Sequence, residues 1–374
     1  MQSSLSAFLP HTATEREPPP SQLPMPDLGL LSTFMNDARV DDILVNGLEP
    51  IYVDMQGQLH DTGQRFGSHE ELWALAERIM ESVNQRWHAD RPIIDTRLPD
   101  GSRVNIVAPP MAVDGISISI RKFPLHHITL DTMVENGQLP KEFGEFLKTC
   151  ARQKLNIIVS GGTSSGKTTL LNALSAAISP RERIVTIEDS AELRLPLPHV
   201  VRLEAKAATR LDQPHTAVTI RDLVKNALRM RPDRIIVGES RGDEAVDVLQ
   251  AMNTGHDGSM TSMHANTPRE TISRLEMLVS VAMPQLTPRV IRQQIASTVH
   301  LIAQMSRLKD GARRITHVSE IAGMEGEVIV MQDLFVYQEG QNGKAGGYKW
   351  VAGSPRNPHV NEAARSAGLV RTLR

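Results

Sequence analysis

A short run that begins at Gly161 limits what this chain can fold into more than any other feature. The run GGTSSGKTT follows the apolar segment LNIIVS and opens the helical pattern KTTLLNALSAAI. Glycines at both ends let backbone N–H groups approach a phosphate, and a helix starting near Lys167 adds the positive end of its dipole. The complete Gly-x-x-x-x-Gly-Lys-Thr spacing between a strand and a helix therefore predicts a phosphate-binding loop in an α/β domain.

Each position of this loop has an expected role. The residues expected to bind ATP are Gly161, Gly162, Thr163, Ser164, Ser165, Gly166, Lys167, Thr168 and Thr169. We expect Lys167 to reach the β- and γ-phosphates, and the hydroxyl of Thr168 to coordinate Mg²⁺. The alternative is a glycine-rich turn with an incidental lysine, which the complete spacing and the flanking strand and helix disfavour.

Two other predicted strands end in carboxylates. DRIIVGES places Glu239 at the carboxyl end of a strand, where it could orient or deprotonate a water. Gly238 stands where an aspartate that coordinates magnesium is usual, so metal contact from this strand would run through Glu239. TIEDSAEL supplies Glu188, Asp189 and Glu192, which could help to hold Mg²⁺ or the water. A solvated carboxylate is the alternative for Glu239, and a helix cap is the alternative for Asp189.

Histidines and arginines complete the candidate set. GHDGSMTSMHAN places His256 before a strand and His264 at its end, where a histidine could bond the γ-phosphate. Core packing is the alternative for both, and the strand end favours the sensing role for His264. An arginine could neutralise charge on the transferring phosphoryl group. The candidates are Arg103, Arg121, Arg229 and Arg231, each of which could equally be a solvated surface charge.

Composition and charge exclude several classes of protein. A chain of 374 residues is enough for two or three domains. The net charge of −2 and the aromatic content of 3% argue against a nucleic-acid-binding surface. A single cysteine, Cys150, permits neither an internal disulfide nor a cysteine-rich zinc site. The chain lacks both a bilayer-spanning apolar run and a signal-peptide pattern, so we expect a cytoplasmic protein.

Patterning along the chain predicts two domains. Residues 1–26 are rich in proline and are expected to be disordered, and residues 27–122 form a small α+β domain. A change of character over residues 123–140 predicts a linker. Helices and strands alternate over residues 141–338, which predicts a mostly parallel sheet covered on both faces. Residues 339–374 form a glycine-rich, weakly patterned tail.

Four motifs of this chain occur in the order and spacing of the type II/IV secretion-system ATPases, which it resembles over residues 28–338. They are GGTSSGKTT, TIEDSAEL, LRMRPDRIIVGESRG and TGHDGSMTSMHAN. The runs ILVNG and IIDTRLPDGSRVNIVAPP look most like the Tad (Flp) pilus assembly branch of that family. The resemblance implies a PAS-like N-terminal domain joined by a flexible linker to a RecA-like core, in a hexameric ring with ATP between the domains.

The same resemblance implies a role for each candidate residue. It makes Gly161 to Thr169 the phosphate loop, and Glu239 the glutamate of the second nucleotide motif. It also implies an acidic box of Glu188, Asp189 and Glu192, and a histidine box of His256 and His264. The arginines that it implies are Arg103 and Arg121 in the N-terminal domain and Arg229 in the core. One cysteine excludes the four-cysteine zinc module of the general-secretion relatives.

The function implied by the resemblance is an ATP-hydrolysing ring motor at the cytoplasmic face of the inner membrane. Closure of the N-terminal domain on ATP would act on an inner-membrane platform protein and move pilin or secreted subunits. No stable nucleic-acid partner is expected, and contact with the membrane would run through partner proteins. Two alternatives remain: a nucleic-acid translocase of a conjugation system, and a nucleotide-gated scaffold, which would have no need of Glu239.

Overall fold

Separate apolar cores divide the chain into two units, Met1–Leu125 and His126–Arg374. The computed structural model describes residues 24–55, 57–87, 92–123, 128–206, 217–340 and 346–370. Most of the predicted disordered segment, part of the predicted linker and Gln56 of one predicted hairpin turn lie outside these ranges.

The first unit is an antiparallel sheet with one long helix. Its strands are β1 (Val40–Asn46), β2 (Tyr52–Met55), β3 (Gln58–Asp61), β4 (Ile93–Arg97), β5 (Arg103–Val107) and β6 (Ser117–Arg121). Its helices are a 3₁₀ turn (Gly29–Leu31), α1 (Ser32–Asn36) and α2 (His69–Ser82). The strand order is β3-β2-β1-β6-β5-β4 over the described residues. Alternate side chains of β1, β5 and β6 and one stripe of α2 are buried together, as the period-two and helical patterns predict, whereas the residues of β3 are exposed.

The second unit is built on a larger sheet. Its strands are β7 (Ile157–Gly161), β8 (Ile184–Glu188), β9 (Val200–Glu204), β10 (Arg234–Val237), β11 (Met260–His264), β12 (Leu301–Arg307), β13 (Arg313–Glu325), β14 (Val328–Gln338) and β15 (Gly347–Trp350). Its helices are α3 (Leu130–Glu135), α4 (Lys141–Arg152), α5 (Lys167–Ser175), α6 (Ile220–Ala227), α7 (Glu244–Asn253), α8 (Pro268–Ala282), α9 (Pro288–Thr298) and α10 (Pro358–Ser366).

This larger sheet is parallel through its centre and antiparallel at one side. Among the described strands the order is β15-β14-β13-β12-β7-β11-β10-β8-β9, with parallel pairing from β12 to β9. Ile157 and Val159 of β7 pack in one core with α3, α4, α5 and α10, whereas Ile158 packs in another with α7, α8 and α9. Helices thus cover both faces, and the predicted α/β class is confirmed.

Several elements were not expected from the sequence. The helix α3 falls within the segment interpreted as a linker, and the edge strands β4 and β9 escaped notice. The tail interpreted as weakly patterned contains β15 and α10. Its order comes from contacts made far along the chain: β15 pairs with β14, and Val360 and Ala364 are buried in the α4 core. When tertiary packing stabilises a short helix or strand, its own sequence carries only a weak secondary-structure pattern.

Candidate functional site

The phosphate-loop sequence forms a tight turn between β7 and α5. Gly161 ends β7, and a Cβ added to it would lie 2.5 Å from the carbonyl oxygen of Met305, so no side chain fits there. Ser164 and Gly166 have positive φ angles of 56° and 99°, and Gly166 immediately precedes α5. The unsatisfied N–H groups of the first helical turn then face the loop. This backbone is that of an anion cradle.

Lys167, the first residue of α5, lies against the loop. Its Nζ donates a hydrogen bond to the carbonyl oxygen of Gly162 at 2.9 Å, and Ser165 Oγ donates to the same oxygen at 2.9 Å. Burial lowers the pKa of Lys167, and the negative charge of Glu239 opposes that shift. Lys167 is therefore within electrostatic reach of Glu239. Thr168 follows in the first turn of α5, with its side chain half-buried.

His264 links Glu239 to the phosphate loop. Parallel pairing of β11 with β7 places His264 directly beside Gly161. The imidazole Nε2 lies 3.3 Å from Thr163 Oγ1, and its Nδ1 lies 4.0 Å from Glu239 Oε1. Glu239 follows the end of β10, the next strand in the sheet. A carboxylate, an imidazole and a lysine thus lie close together at one edge of the sheet, and the catalytic roles expected of these three residues stay predictions.

Glu188 is buried beneath this edge. The residue is only 4% exposed. Its Oε1 accepts hydrogen bonds from the backbone N–H groups of Glu192 at 2.9 Å and Leu193 at 3.0 Å. Burial raises the pKa of Glu188 to about 7, against the lowering effect of these bonds. A Cβ added to Gly238 would lie 2.8 Å from Glu188 Cγ. Glu188 therefore occupies the space in which an aspartate at position 238 would need to fit.

The other two acidic-box residues differ from Glu188. Asp189 forms an ion pair with Arg241, which follows β10. Glu192 lies close enough to raise the pKa of Glu188 through charge repulsion. The acidic box is therefore a hydrogen-bonded bend stabilised by Glu188 and by the Asp189–Arg241 pair. Glu188 is buried and its carboxylate accepts two backbone N–H groups, so a role for it in holding a metal stays a prediction.

His256 and Arg229 lie at the opposite edge of the sheet from the phosphate loop. Each precedes a strand, β11 and β10 respectively, whereas the phosphate loop follows one. Arg229 Nη1 donates to the carbonyl oxygen of Lys225 at 2.9 Å. His256 accepts hydrogen bonds at its backbone carbonyl from Ser259. Within one subunit, the fold therefore does not bring either residue to the phosphate site.

Arg103 and Arg121 belong to the first unit and lie side by side there. They are register partners on β5 and β6, and Arg97 of β4 is the next residue in the same row. Arg121 Nε donates to Asp42 Oδ1 of β1 at 2.8 Å. Like charges directly opposite each other on a sheet repel, so a row of arginines is favourable only with acidic or anionic groups nearby.

Two residues of the phosphate site were missed in the sequence. Met305 of β12 packs against Gly161 and Gly166, and Arg313 of β13 donates through Nε to the carbonyl oxygen of Ser164 at 3.1 Å. Both lie far from the loop along the chain, and a lone methionine or arginine carries no motif. The pairing of β12 with β7 brings Met305 there, and the pairing of β13 with β12 brings Arg313.

The residues present suit a magnesium ion that accompanies a nucleotide better than a site made of protein alone. Among the described residues, no group of three or more histidine, cysteine or acidic side chains could hold a metal ion. Mg²⁺ commonly takes one or two protein oxygens together with phosphate oxygens and waters. The Thr168 hydroxyl and the half-buried Glu239 carboxylate are oxygens of that kind.

Comparison with known proteins identifies relatives over most of the chain. Residues 26–341 match the family model described as Type II/IV secretion system protein. A putative conjugal transfer protein of Mycobacterium tuberculosis is 35% identical over 306 residues, which cover 80% of this chain and 86% of the relative. The conjugal transfer protein TrbB of Rhizobium radiobacter is 34% identical, with 78% and 87% covered. The type IV secretion system protein PtlH of Bordetella pertussis is 34% identical, with 75% and 96% covered.

Two solved structures share the fold. The pilus retraction motor PilT with bound ADP aligns with a TM-score of 0.58 at 20% identity, over 92% of this chain and 89% of that one. The ATPase DotB of Legionella pneumophila aligns with a TM-score of 0.54 at 24% identity, over 79% and 80%. No helix within the described ranges is both long and apolar enough to span a membrane.

Proposed function

This chain belongs to the type II/IV secretion system protein family, and on that basis we propose that it works as a hexameric motor for a pilus or secretion apparatus. Family membership and the complete phosphate loop together make it an ATPase. The proposed motor changes its domain arrangement as ATP binds and is hydrolysed. That change acts on a platform protein of the inner membrane, so the chain works at the cytoplasmic face through its partners.

The observation that carries the proposal is the meeting of Lys167, Glu239 and His264 at the phosphate loop. Lys167 supplies positive charge to the β- and γ-phosphates, and Glu239 orients or deprotonates the attacking water. His264 lies 3.3 Å from Thr163 and 4.0 Å from Glu239, so it can transmit the state of the loop to the carboxylate. A scaffold that only binds nucleotide has no use for Glu239 and His264.

Magnesium is the metal that this proposal requires. Bound together with ATP, it would supply positive charge that offsets the charge of the phosphate oxygens. The Thr168 hydroxyl and the Glu239 carboxylate are the groups that would hold it. Asp189 is the weaker candidate, because its carboxylate is paired with Arg241.

The arginines of the first unit supply a reason for a ring. Arg103 and Arg121 form a cationic row on the sheet, and we propose that they stabilise the transferring phosphoryl group on a neighbouring subunit. An arginine supplied in this way accelerates phosphoryl transfer by about 10³-fold or more. Hydrolysis would then depend on assembly.

Within the family, we propose the Tad (Flp) pilus assembly branch. The support is the sequence of the first unit, ILVNG and IIDTRLPDGSRVNIVAPP. These runs form β1 and the β4–β5 pair that carries Arg97 and Arg103. The apparatus would be a type IV pilus, with assembly as the primary action and retraction as a second use of the same core.

The test is steady-state ATP hydrolysis as a function of protein concentration. We compare the native chain with Glu239→Gln and with a matched control, Glu362→Gln, which changes an exposed glutamate of α10. The proposal expects turnover per subunit to rise cooperatively with concentration, to be lost in Glu239→Gln and to be unchanged in Glu362→Gln. Tight ATP binding without turnover in the native chain, with membranes added, would instead indicate a nucleotide-gated scaffold.

A second candidate is a motor for conjugal DNA transfer. It is favoured by the names of two relatives, which are conjugal transfer proteins. Salt-dependent stimulation of hydrolysis by DNA is expected for that function. The net charge of −2 and the scarcity of aromatic residues place it second. Adding single- and double-stranded DNA to the same assay at low and moderate salt separates the two functions.

A further inference from the structure

The hairpin of β12 and β13 packs against the phosphate loop. Met305 of β12 lies beside both loop glycines: its carbonyl oxygen would be 2.5 Å from a Cβ on Gly161, and its Cε would be 3.1 Å from a Cβ on Gly166. Arg313 of β13 lies beside the same loop and donates through Nε to the carbonyl oxygen of Ser164 at 3.1 Å. The hairpin thus contacts the loop at its start, its tip and its end.

The Arg313 bond acts on a residue whose backbone is unusual. Ser164 has a φ of 56°, a left-handed conformation that non-glycine residues rarely adopt. Such a conformation persists where neighbouring groups fix it. The peptide that joins Ser164 to Ser165 is planar and trans, so its carbonyl oxygen and its N–H point in opposite directions. A donor that holds the Ser164 oxygen therefore also fixes the opposite direction in which the Ser165 N–H points.

We propose that Arg313 is a positioning residue of the phosphate loop, which aims the Ser165 N–H at a nucleotide phosphate by holding the Ser164 carbonyl. The inference rests on nucleotide binding at this loop. The part of the side chain that the inference requires is the Nε–H donor, which is the atom that contacts the Ser164 carbonyl oxygen.

The strand that carries Arg313 is itself held in place. The next residue, Arg314, donates to the carbonyl oxygen of Gly137, and Ile315 N–H donates to Gln138 O at 3.2 Å. Arg314 also lies over the ring of Tyr337, 5.1 Å from its centroid. A donor on an anchored strand can fix a loop, whereas one on a mobile strand would follow it.

The experiment uses two substitutions that separate the bond from the charge. In Arg313→Gln, the amide nitrogen occupies the same place along the side chain as arginine Nε, so the bond can be kept while the charge is lost. In Arg313→Met, both are lost at similar length. Lys309→Ala removes an exposed positive charge from the turn of the same hairpin and serves as the control. The probe is ADP with magnesium, titrated into the full-length chain by calorimetry, followed by ATPase kinetics.

We expect Arg313→Met to weaken ADP binding about tenfold and to raise the KM for ATP by a similar factor, with a smaller change in kcat. Arg313→Gln should bind within about threefold of the native chain, and Lys309→Ala should be unchanged. Thermal unfolding of each variant shows whether the fold is intact.

Three results would overturn the inference. The first is native affinity in Arg313→Met, and the second is a loss in Arg313→Gln as large as in Arg313→Met, which would assign the effect to charge. The third is a native chain that binds no ADP, which would remove the inference together with the proposed function. The first two results, obtained with a native chain that binds ADP, would remove the inference alone.

Discussion

At the carboxyl edge of the parallel strands, Lys167, Glu239 and His264 are half-buried and lie around a loop built to hold an anion. At the amino edge of the same strands, Arg234 and Glu182 are buried and paired with each other. Arg234 Nε and Nη2 donate to the two oxygens of Glu182 at 2.7 and 2.8 Å, and its Nη1 donates to the carbonyl oxygen of Ala151 at 2.5 Å.

Asn156 continues the closed network at the amino edge. Its side-chain amide donates to the carbonyl oxygens of Met252 at 3.1 Å and Thr298 at 2.8 Å, and its Oδ1 accepts from Gly258 N–H at 2.8 Å. Both edges carry charged and polar side chains, but the carboxyl edge leaves its own facing a ligand position, whereas Arg234, Glu182 and Asn156 at the amino edge bond to other protein groups. Variants at the carboxyl edge should therefore change catalysis, and variants at the amino edge should change stability.

The largest expected effect is on catalysis at the carboxyl edge. Lys167→Ala removes the cation of the phosphate loop, and we expect ATP turnover to fall by about 10³-fold. The free energy of unfolding should change little, because the Lys167 ammonium has a half-exposed position and one bond within the loop. Lys225→Ala, an exposed lysine of α6, is the control for charge removal. A large loss of stability in Lys167→Ala would contradict the division between the edges.

The counterpart at the amino edge is Glu182→Ala. It leaves the fully buried Arg234 guanidinium without its carboxylate. We therefore expect the free energy of unfolding, measured in urea, to fall by about 3 kcal/mol. Turnover at a temperature where the variant is folded should be close to native. A variant that stays stable but loses turnover would show that the amino edge takes part in catalysis.

A smaller effect concerns the pH dependence of stability through Glu188. Its pKa in the folded protein is raised to about 7, above the ordinary value of 4.5. The folded state therefore binds the proton more tightly, so this contribution to stability is complete below pH 4.5 and is lost as the pH rises through 7. When the pH rises from 5 to 8, the free energy of unfolding should fall by about 2 kcal/mol more in the native chain than in Glu188→Gln. Urea unfolding at each pH measures this difference. Parallel pH curves would show that Glu188 is ionised without penalty.

The smallest expected effect compares the two histidines directly. His264→Ala removes the link between Glu239 and the loop, and we expect kcat to fall about tenfold. His256→Ala should leave kcat near native and change only stability, because His256 lies at the amino edge and its buried Nδ1 has no partner among the described residues. An equal fall in kcat for both would mean that His256 acts on a neighbouring subunit.

Much of this comparison could be predicted from the sequence. The order of strands and helices places Glu239 and His264 after their strands and His256 before its own, and parallel strands end at a common edge. Grouping the two histidines in one motif obscured that difference. The burial of Glu188 was not predictable, because TIEDSAEL does not show that the chain bends back to bond its carboxylate. Arg313 was not predictable either, since only pairing of β13 with β12 brings it to the loop.

The chain continues past the end of its family match, and this matters for anyone who would shorten it. The family match ends at residue 341, before β15 and α10. Yet Trp350 lies beside Phe143 and Phe146, and Glu320, with 0% exposure, accepts the N–H groups of Arg356 and Asn357 at 2.7 and 3.0 Å. A fragment trimmed at the family limit would keep every residue proposed to bind nucleotide. It would also expose the aromatic rings that Trp350 covers and remove the two N–H donors of the Glu320 carboxylate, so we expect it to aggregate for reasons unrelated to ATP.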